Sequence, residues 1–351
     1  MARVRRIILR IVGFLLVFTF AEAVLCIVLM PDNLPSRMMM EDMAEMAMRN
    51  ELDRENIDVA VVGSSAAMTA VDPFLLEELL GENSFNACSS LQQPIASYYL
   101  TQDILRLHTP KTVIVSANYS AFGTETLDEL QSNLIVFDYM KGSPVKLRFF
   151  LDAFQPADYP TVFLKSYHYR SSFSPGKLSP SYIYAKANEP RNPVIHESAT
   201  YMGKGFTAYT SVWDDSEPVL YHEPPTPDPE KEEYLRKLIA LCRERGIDVV
   251  LLATPHVQAR VEVCPDYFER ANAFFSGIAE DCGASFIDLN LAKPELLPMG
   301  SEHFKDPSHV NATGAALVTE ALASAMRGNG VFYQNVQERL DAINDSDKNV
   351  R

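Results

Sequence analysis

Cysteine pairs at metal-ligand spacing are missing from this 351-residue chain, as are a phosphate-binding loop, a dinucleotide fingerprint and any internal repeat. No metal and no cofactor is therefore expected. Cations are scarce: Lys and Arg total 31 against 46 Asp and Glu, a net charge of −15. A grip on nucleic acid through bulk charge is excluded on that balance. Five cysteines occur, and four of them, Cys88, Cys242, Cys264 and Cys282, lie outside the N-terminal region. An oxidising compartment would permit disulfides among these four, but three pairings are possible and buried free thiols serve an α/β core equally. What is present is ordinary globular usage, 47% hydrophobic and 22% charged, which rules out wholesale disorder.

The charge is unevenly spread. Residues 1–10 hold Arg3, Arg5, Arg6 and Arg10 and no acid, so they carry +4 and the remainder −19. Directly after them comes an apolar run, residues 11–30, with Glu22 as its single charge. Its length suits one membrane-crossing helix. The flanking arginines place the N-terminus in the cytoplasm and the main domain outside. The chief alternative is a cleaved signal peptide, since Ala21-Glu22-Ala23 resembles a small-x-small cleavage site. Cleavage there would leave a greasy new terminus, and the uncleaved anchor is preferred. A lipoprotein reading of Cys26 is weaker, because Leu25 before it is not small.

Residues 31–56 are rich in methionine and acid and read as a helical stalk. The methionines there (Met38, Met39, Met40, Met43, Met46, Met48) suit packing better than metal binding. From residue 57 onward the pattern alternates short apolar strands with helices. Strands are expected at 59–62, 84–87, 112–116, 248–253 and 285–289, and helices at 72–80, 93–107, 230–245, 267–282 and 311–326. Alternation of this kind predicts a doubly wound parallel sheet with helices on both faces, an α/β domain spanning 57–327. A stretch from about 122 to 229, rich in Tyr, Ser and Pro and holding the one tryptophan, Trp213, breaks the rhythm. It reads as an insertion, either an embellishment or a substrate-binding lid. Residues 328–351 form a polar C-terminal tail, frayed from Asp341 onward.

Two short motifs carry chemistry. Gly63-Ser64-Ser65 follows the first strand directly, at the carboxyl edge where ligands of open α/β sheets sit. A serine on that turn is exposed and rigid, with backbone N–H groups beside it for a developing oxyanion. Asp306-Pro307-Ser308-His309 precedes the last helix. Here the carboxylate can hold one imidazole nitrogen while the other takes a proton from a serine. Each motif alone has a plain structural explanation: a small-residue turn, a helix cap, a surface histidine. His256, after a sheet strand, and His303 are further candidates, more suited to supporting or surface positions.

Placed at the two ends of one domain, the motifs resemble the SGNH (GDSL-like) hydrolase family. The resemblance covers roughly 57–118 and 247–326 and implies an SGNH-like, flavodoxin-like three-layer fold. It implies Ser65 as nucleophile, with Asp306 and His309 completing the triad, and Asn311 and Gly314 in HVNATGA fit the same block. For the oxyanion hole it implies the Ser65 amide and Asn118, which follows the third strand. The family's second-block glycine has no counterpart in Asn86-Ala87-Cys88-Ser89-Ser90, so a backbone amide of Ser89 or Ser90 would stand in. Gly-Ser-Ser with a one-helix anchor is similar to an envelope branch that includes the teichoic-acid D-alanylation accessory protein and alginate acetylation proteins. The implied activity is an extracytoplasmic esterase or O-acyltransferase on an acylated glycan or cell-wall polymer, with a membrane-bound acyltransferase as a possible partner. The competing expectation is a degenerate scaffold that binds a glycan or such a partner without catalysis.

Overall fold

The computed structural model describes residues 2–29, 35–53, 56–124, 129–188, 192–216 and 218–350. The Pro31-Asp32-Asn33 flank of the apolar run lies outside them. Contacts divide the chain into two compact units, Met1–Leu34 with Leu151–Asn192, and Pro35–Phe150 with Pro193–Arg351.

The first unit is built on a helix, Ala2–Leu29, long and apolar enough to cross a membrane by length and composition. Residues 3–21 are exposed all round, and partial burial begins at Glu22. Short helices Lys165–His168 and Pro180–Ala187 pack on it. Glu22 accepts a hydrogen bond from the Ser166 N–H at 2.9 Å, and the Ser172 hydroxyl donates to the Leu29 carbonyl at 3.0 Å. The middle of the expected insertion is thus the partner of the apolar helix, while its two flanks belong to the second unit.

Ten strands occur among the described residues of the second unit: β1 (Val59–Gly63), β2 (Ser84–Cys88), β3 (Thr112–Ser116), β4 (Val194–His196), β5 (Ala199–Gly203), β6 (Phe206–Tyr209), β7 (Asp248–Ala253), β8 (Ser285–Asp288), β9 (Phe304–Asp306) and β10 (His309–Val310). Five of them make a wholly parallel sheet in the order β2-β1-β3-β7-β8. The expected α/β architecture is observed, and its strands coincide with the apolar runs because a sheet covered on both faces must be apolar throughout. Val61, Ile114 and Leu251 are fully buried, each adding about 1.5–3 kcal/mol. Helices start where the caps dictate. Asp72 accepts from the N–H groups of Phe74 (2.9 Å) and Leu75 (3.3 Å), and Asn311 from that of Gly314 (3.1 Å).

Two regions depart from expectation. The helix Pro35–Asp53 is part of the α/β unit and not a free-standing stalk: Met38, Met39, Met40, Met43 and Met46 are buried. Its Asp42 accepts from the Tyr201 hydroxyl at 2.6 Å and the Lys204 N–H at 3.0 Å. That anchors the antiparallel ribbon β4-β5-β6, whose Gly205 lies so close to β2 that a Cβ would sit 1.6 Å from the Asn86 carbonyl oxygen. At the C-terminus, residues 336–350 are helical and not frayed. Val336, Leu340 and Ile343 recur at helical spacing and give this tail one apolar face, and the Arg339 guanidinium donates to the Asn290 carbonyl.

Candidate active site

The site is assembled from two loops at the carboxyl edge of the sheet. β1 runs into Gly63 with φ at 139°, a conformation open to glycine. A Cβ there would lie 2.3 Å from the Ser116 Cβ, so the end of β1 can reach this position only without a side chain. The chain then turns into the short helix Ser65–Ala70, and Ser65 is its first residue.

On the far side, β9 and β10 form a two-stranded antiparallel ribbon that pairs Asp306 with His309. The intervening turn is held by the carboxylate itself, whose Oδ1 accepts the N–H groups of Ser308 (2.9 Å) and His309 (3.0 Å). His309 Nδ1 lies 2.9 Å from Asp306 Oδ1 and 3.0 Å from Oδ2. His309 Nε2 lies 2.9 Å from Ser65 Oγ, across 244 positions of sequence. Burial works to raise the Asp306 pKa, but hydrogen bonding and charge from His309, the Ser308 N–H and Lys305 outweigh it. The carboxyl is held well below the usual carboxylate range.

Ser65, Asn118, His256 and His309 line one cavity of about 210 Å³. Its other walls include the rings of Tyr119, Tyr267 and Phe268. A space of that size suits a short acyl group better than a long chain. Asn118 donates its side-chain N–H to the Ser64 hydroxyl at 3.0 Å, which points the amide at the residue beside Ser65 and leaves a second N–H. Among the described residues the Ser65 N–H has no acceptor within the protein.

The stand-in amides are placed differently. The Ser89 N–H donates to the Gly63 carbonyl at 3.0 Å, and the side chain is buried against Gln92 Oε1 at 2.8 Å. That amide is spent in joining β2 to the Gly63 turn, so Ser89 is not an oxyanion donor in this arrangement. Ser90 is exposed and is not part of the cavity wall. The next residue on the wall is Leu91, held at φ 55°. A side chain in that left-handed region costs about 1–2 kcal/mol, which no sequence motif announces.

Of the two extra histidines, His303 serves its own loop: Nδ1 accepts the Gly300 N–H at 3.0 Å. His256 faces the cavity, bonded through Nδ1 to Asn290 Oδ1 at 3.1 Å. Burial first, and then the charge of Arg260, lower its pKa to about 3, so the ring is neutral at physiological pH. Asn290 also donates to Asp288 Oδ1 at 3.0 Å and to the Thr254 carbonyl at 3.1 Å. Burial raises the Asp288 pKa against the hydrogen bonds from Asn272 and Asn290. The cavity residues with no signature in the sequence include Arg260 and Tyr267, on helices Gln258–Val263 and Pro265–Cys282.

All five cysteines are free thiols, with Cys88, Cys242 and Cys264 buried. Burial raises the pKa of Cys88 and takes that of Cys242 to about 12, so neither is a reactive thiolate.

No family model matches the sequence, and no curated protein does. Solved structures that are similar include a GDSL-like lipase from Bacteroides thetaiotaomicron, at 10% identity and TM-score 0.38, covering 82% of this chain and 98% of that one. A candidate acylhydrolase from Bacteroides fragilis is similar at 10% identity and TM-score 0.38, covering 81% of this chain and 95% of that one.

Proposed function

We propose that the protein is a membrane-anchored serine esterase or O-acyltransferase of SGNH type, acting on acyl esters of a cell-envelope glycan or polymer. The observation that carries this reading is the relay from Ser65 Oγ through His309 to Asp306, at 2.9 Å for each link, beside a cavity of acyl size. An ionised carboxylate only accepts, so it fixes the proton on His309 Nδ1 and leaves the lone pair of Nε2 toward the serine. His309 takes the Ser65 proton as Oγ attacks the ester carbonyl. The negative charge that develops on the carbonyl oxygen is met by the Ser65 N–H and the spare N–H of Asn118. Collapse expels the alcohol, which collects its proton from His309, and leaves an acyl-enzyme. Water attacking in the reverse sense gives hydrolysis; a sugar or polyol hydroxyl gives transfer.

The apolar helix with arginines at its start supports a cytoplasmic N-terminus and an α/β unit outside the membrane. That location suits a polymer of the envelope such as those modified by the D-alanylation and alginate acetylation proteins. A second reading, a non-catalytic scaffold, draws on the Ser89 amide being spent on Gly63. The experiment that separates them is labelling of full-length protein with a serine-directed fluorophosphonate. Labelling that disappears in Ser65→Ala supports the esterase; label at another serine, or none in the wild type, refutes it.

A further inference from the structure

The cavity carries a cation that the relay does not use. Arg260 lines the same wall as Ser65, Asn118, His256 and His309. Its Nη1 donates to the Ser308 hydroxyl at 2.8 Å, one residue before His309. Its guanidinium carbon stands 5.8 Å from the centre of the Tyr267 ring. Its Nε is buried and has no hydrogen-bond partner. Among the described residues no carboxylate pairs with it, although 46 acids stand against 31 cations in the chain.

A guanidinium in that setting is expensive unless something answers it, because a buried donor without a partner costs its full desolvation penalty. The nearby groups do not answer. His256 is neutral and is itself pushed further from protonation by the arginine. Asp288, the one acid on the wall, is committed to Asn272 and Asn290, at 3.0 Å each. Asp306 is committed to His309, Lys305 and two backbone amides. The remaining wall mixes neutral hydroxyl and amide groups (Asn118, Ser120, Thr254) with aromatic and aliphatic side chains and supplies no anion.

Building on the serine-esterase reading, we infer that Arg260 is a substrate-binding residue and that the preferred ester bears an anionic group, a carboxylate or a phosphate, near the scissile carbonyl. Planar N–H donors match either oxyanion. The aromatic wall takes the apolar part of the substrate, and the arginine fixes which end enters. In an acidic protein this one cation would also choose among envelope esters, admitting charged ones that the overall field disfavours.

The test uses full-length protein and four probes: p-nitrophenyl acetate and mono-p-nitrophenyl succinate, and acetylglycerol and acetylglycerol phosphate. The readout is the ratio of kcat/KM for each anionic ester to that for a neutral ester of the same alcohol class. The wild type should prefer at least one anionic ester, and Arg260→Gln should lower that ratio by about tenfold or more, as for a lost hydrogen bond to a charged group. Arg260→Lys should restore part of it. Which arm responds tells carboxylate from phosphate. Ser308→Ala separates binding from propping of the turn. If Arg260 only supports the turn that carries His309, Ser308→Ala and Arg260→Gln will slow neutral and anionic esters alike and leave the ratio fixed, which overturns the inference. Fluorophosphonate labelling of Ser65 is followed in parallel. Labelling without any anionic preference refutes the role of Arg260 alone, whereas absent labelling refutes the esterase reading beneath it.

Discussion

Gly63→Ala is a severe perturbation for a single methyl group. Two costs combine at this position. The backbone sits at φ 139°, which L side chains rarely adopt, at about 1–3 kcal/mol. The new Cβ would also approach the Ser116 Cβ to 2.3 Å, where carbon atoms settle at about 3.5–4.0 Å. Relieving that overlap requires more than an ångström of separation between the ends of β1 and β3. Overpacking of this kind costs about 1–3 kcal/mol. The sum, about 2–6 kcal/mol, is a large share of the 5–15 kcal/mol that holds a typical domain together. Denaturant unfolding of the full-length protein in detergent measures it, with Ser116→Gly as the companion change. Ser116→Gly removes the atom that is struck and leaves φ untouched, so the double variant should recover about half of the loss. The same shift carries Ser65 away from His309, and the fluorophosphonate labelling rate should fall with stability. A Gly63→Ala protein within about 0.5 kcal/mol of wild type, the scatter of ordinary surface substitutions, would refute the steric account. So would a double variant no better than the single.

On the proposed mechanism, Asp306→Asn places an amide N–H against His309 Nδ1 and selects the wrong tautomer; labelling of Ser65 should slow by about 10⁴-fold. On the same mechanism, Asn118→Ala removes one oxyanion donor and should lower kcat for an activated ester by about 10²–10³-fold with little change in KM. His256 titrates near 6.5 when unfolded and at about 3 in the fold, so the unfolded chain binds the extra proton between those values and stability falls as pH drops through that window. His256→Gln should flatten the melting-temperature profile from pH 6.5 down to 3. Asp306 acts with the same slope lower down: its folded pKa is depressed, so its contribution is full above about pH 4 and is lost as pH falls through the folded value. In Asp306→Asn that lowest part of the acid limb should be missing from the same profile.

The sheet was legible because each strand is buried on both faces and so reads as an unbroken apolar run, as Val59–Val62 and Thr112–Ser116 do. Ser65 and the Asp306–His309 pair were legible for a different reason. Each is a local motif, and the parallel sheet brings its carboxyl-edge loops together without further instruction. What escaped the sequence depends on contacts between distant segments. Arg260 sits on a short helix with no signature, and its meaning lies in the acids that do not reach it. The partnership of Glu22 with Ser166 joins segments 144 residues apart, through a stretch of Tyr, Ser and Pro that has no periodicity to read. The commitment of the Ser89 amide also escapes the sequence, because a backbone N–H has no sequence identity; only the fold shows that the Gly63 carbonyl has claimed it.

His309 and Asp306 ride on the β9–β10 ribbon, outside the main sheet, while Ser65 opens the short helix that follows β1, an inner strand of that sheet. Two strands of three and two residues have little of their own to resist opening, and local unfolding draws first on such elements. On the proposed function, warming should therefore disarm the site before it melts the sheet. His309 and Val310 amides should exchange with solvent sooner than those of Val61 and Ile114, and Ser65 labelling should be lost reversibly below the temperature at which the sheet gives way.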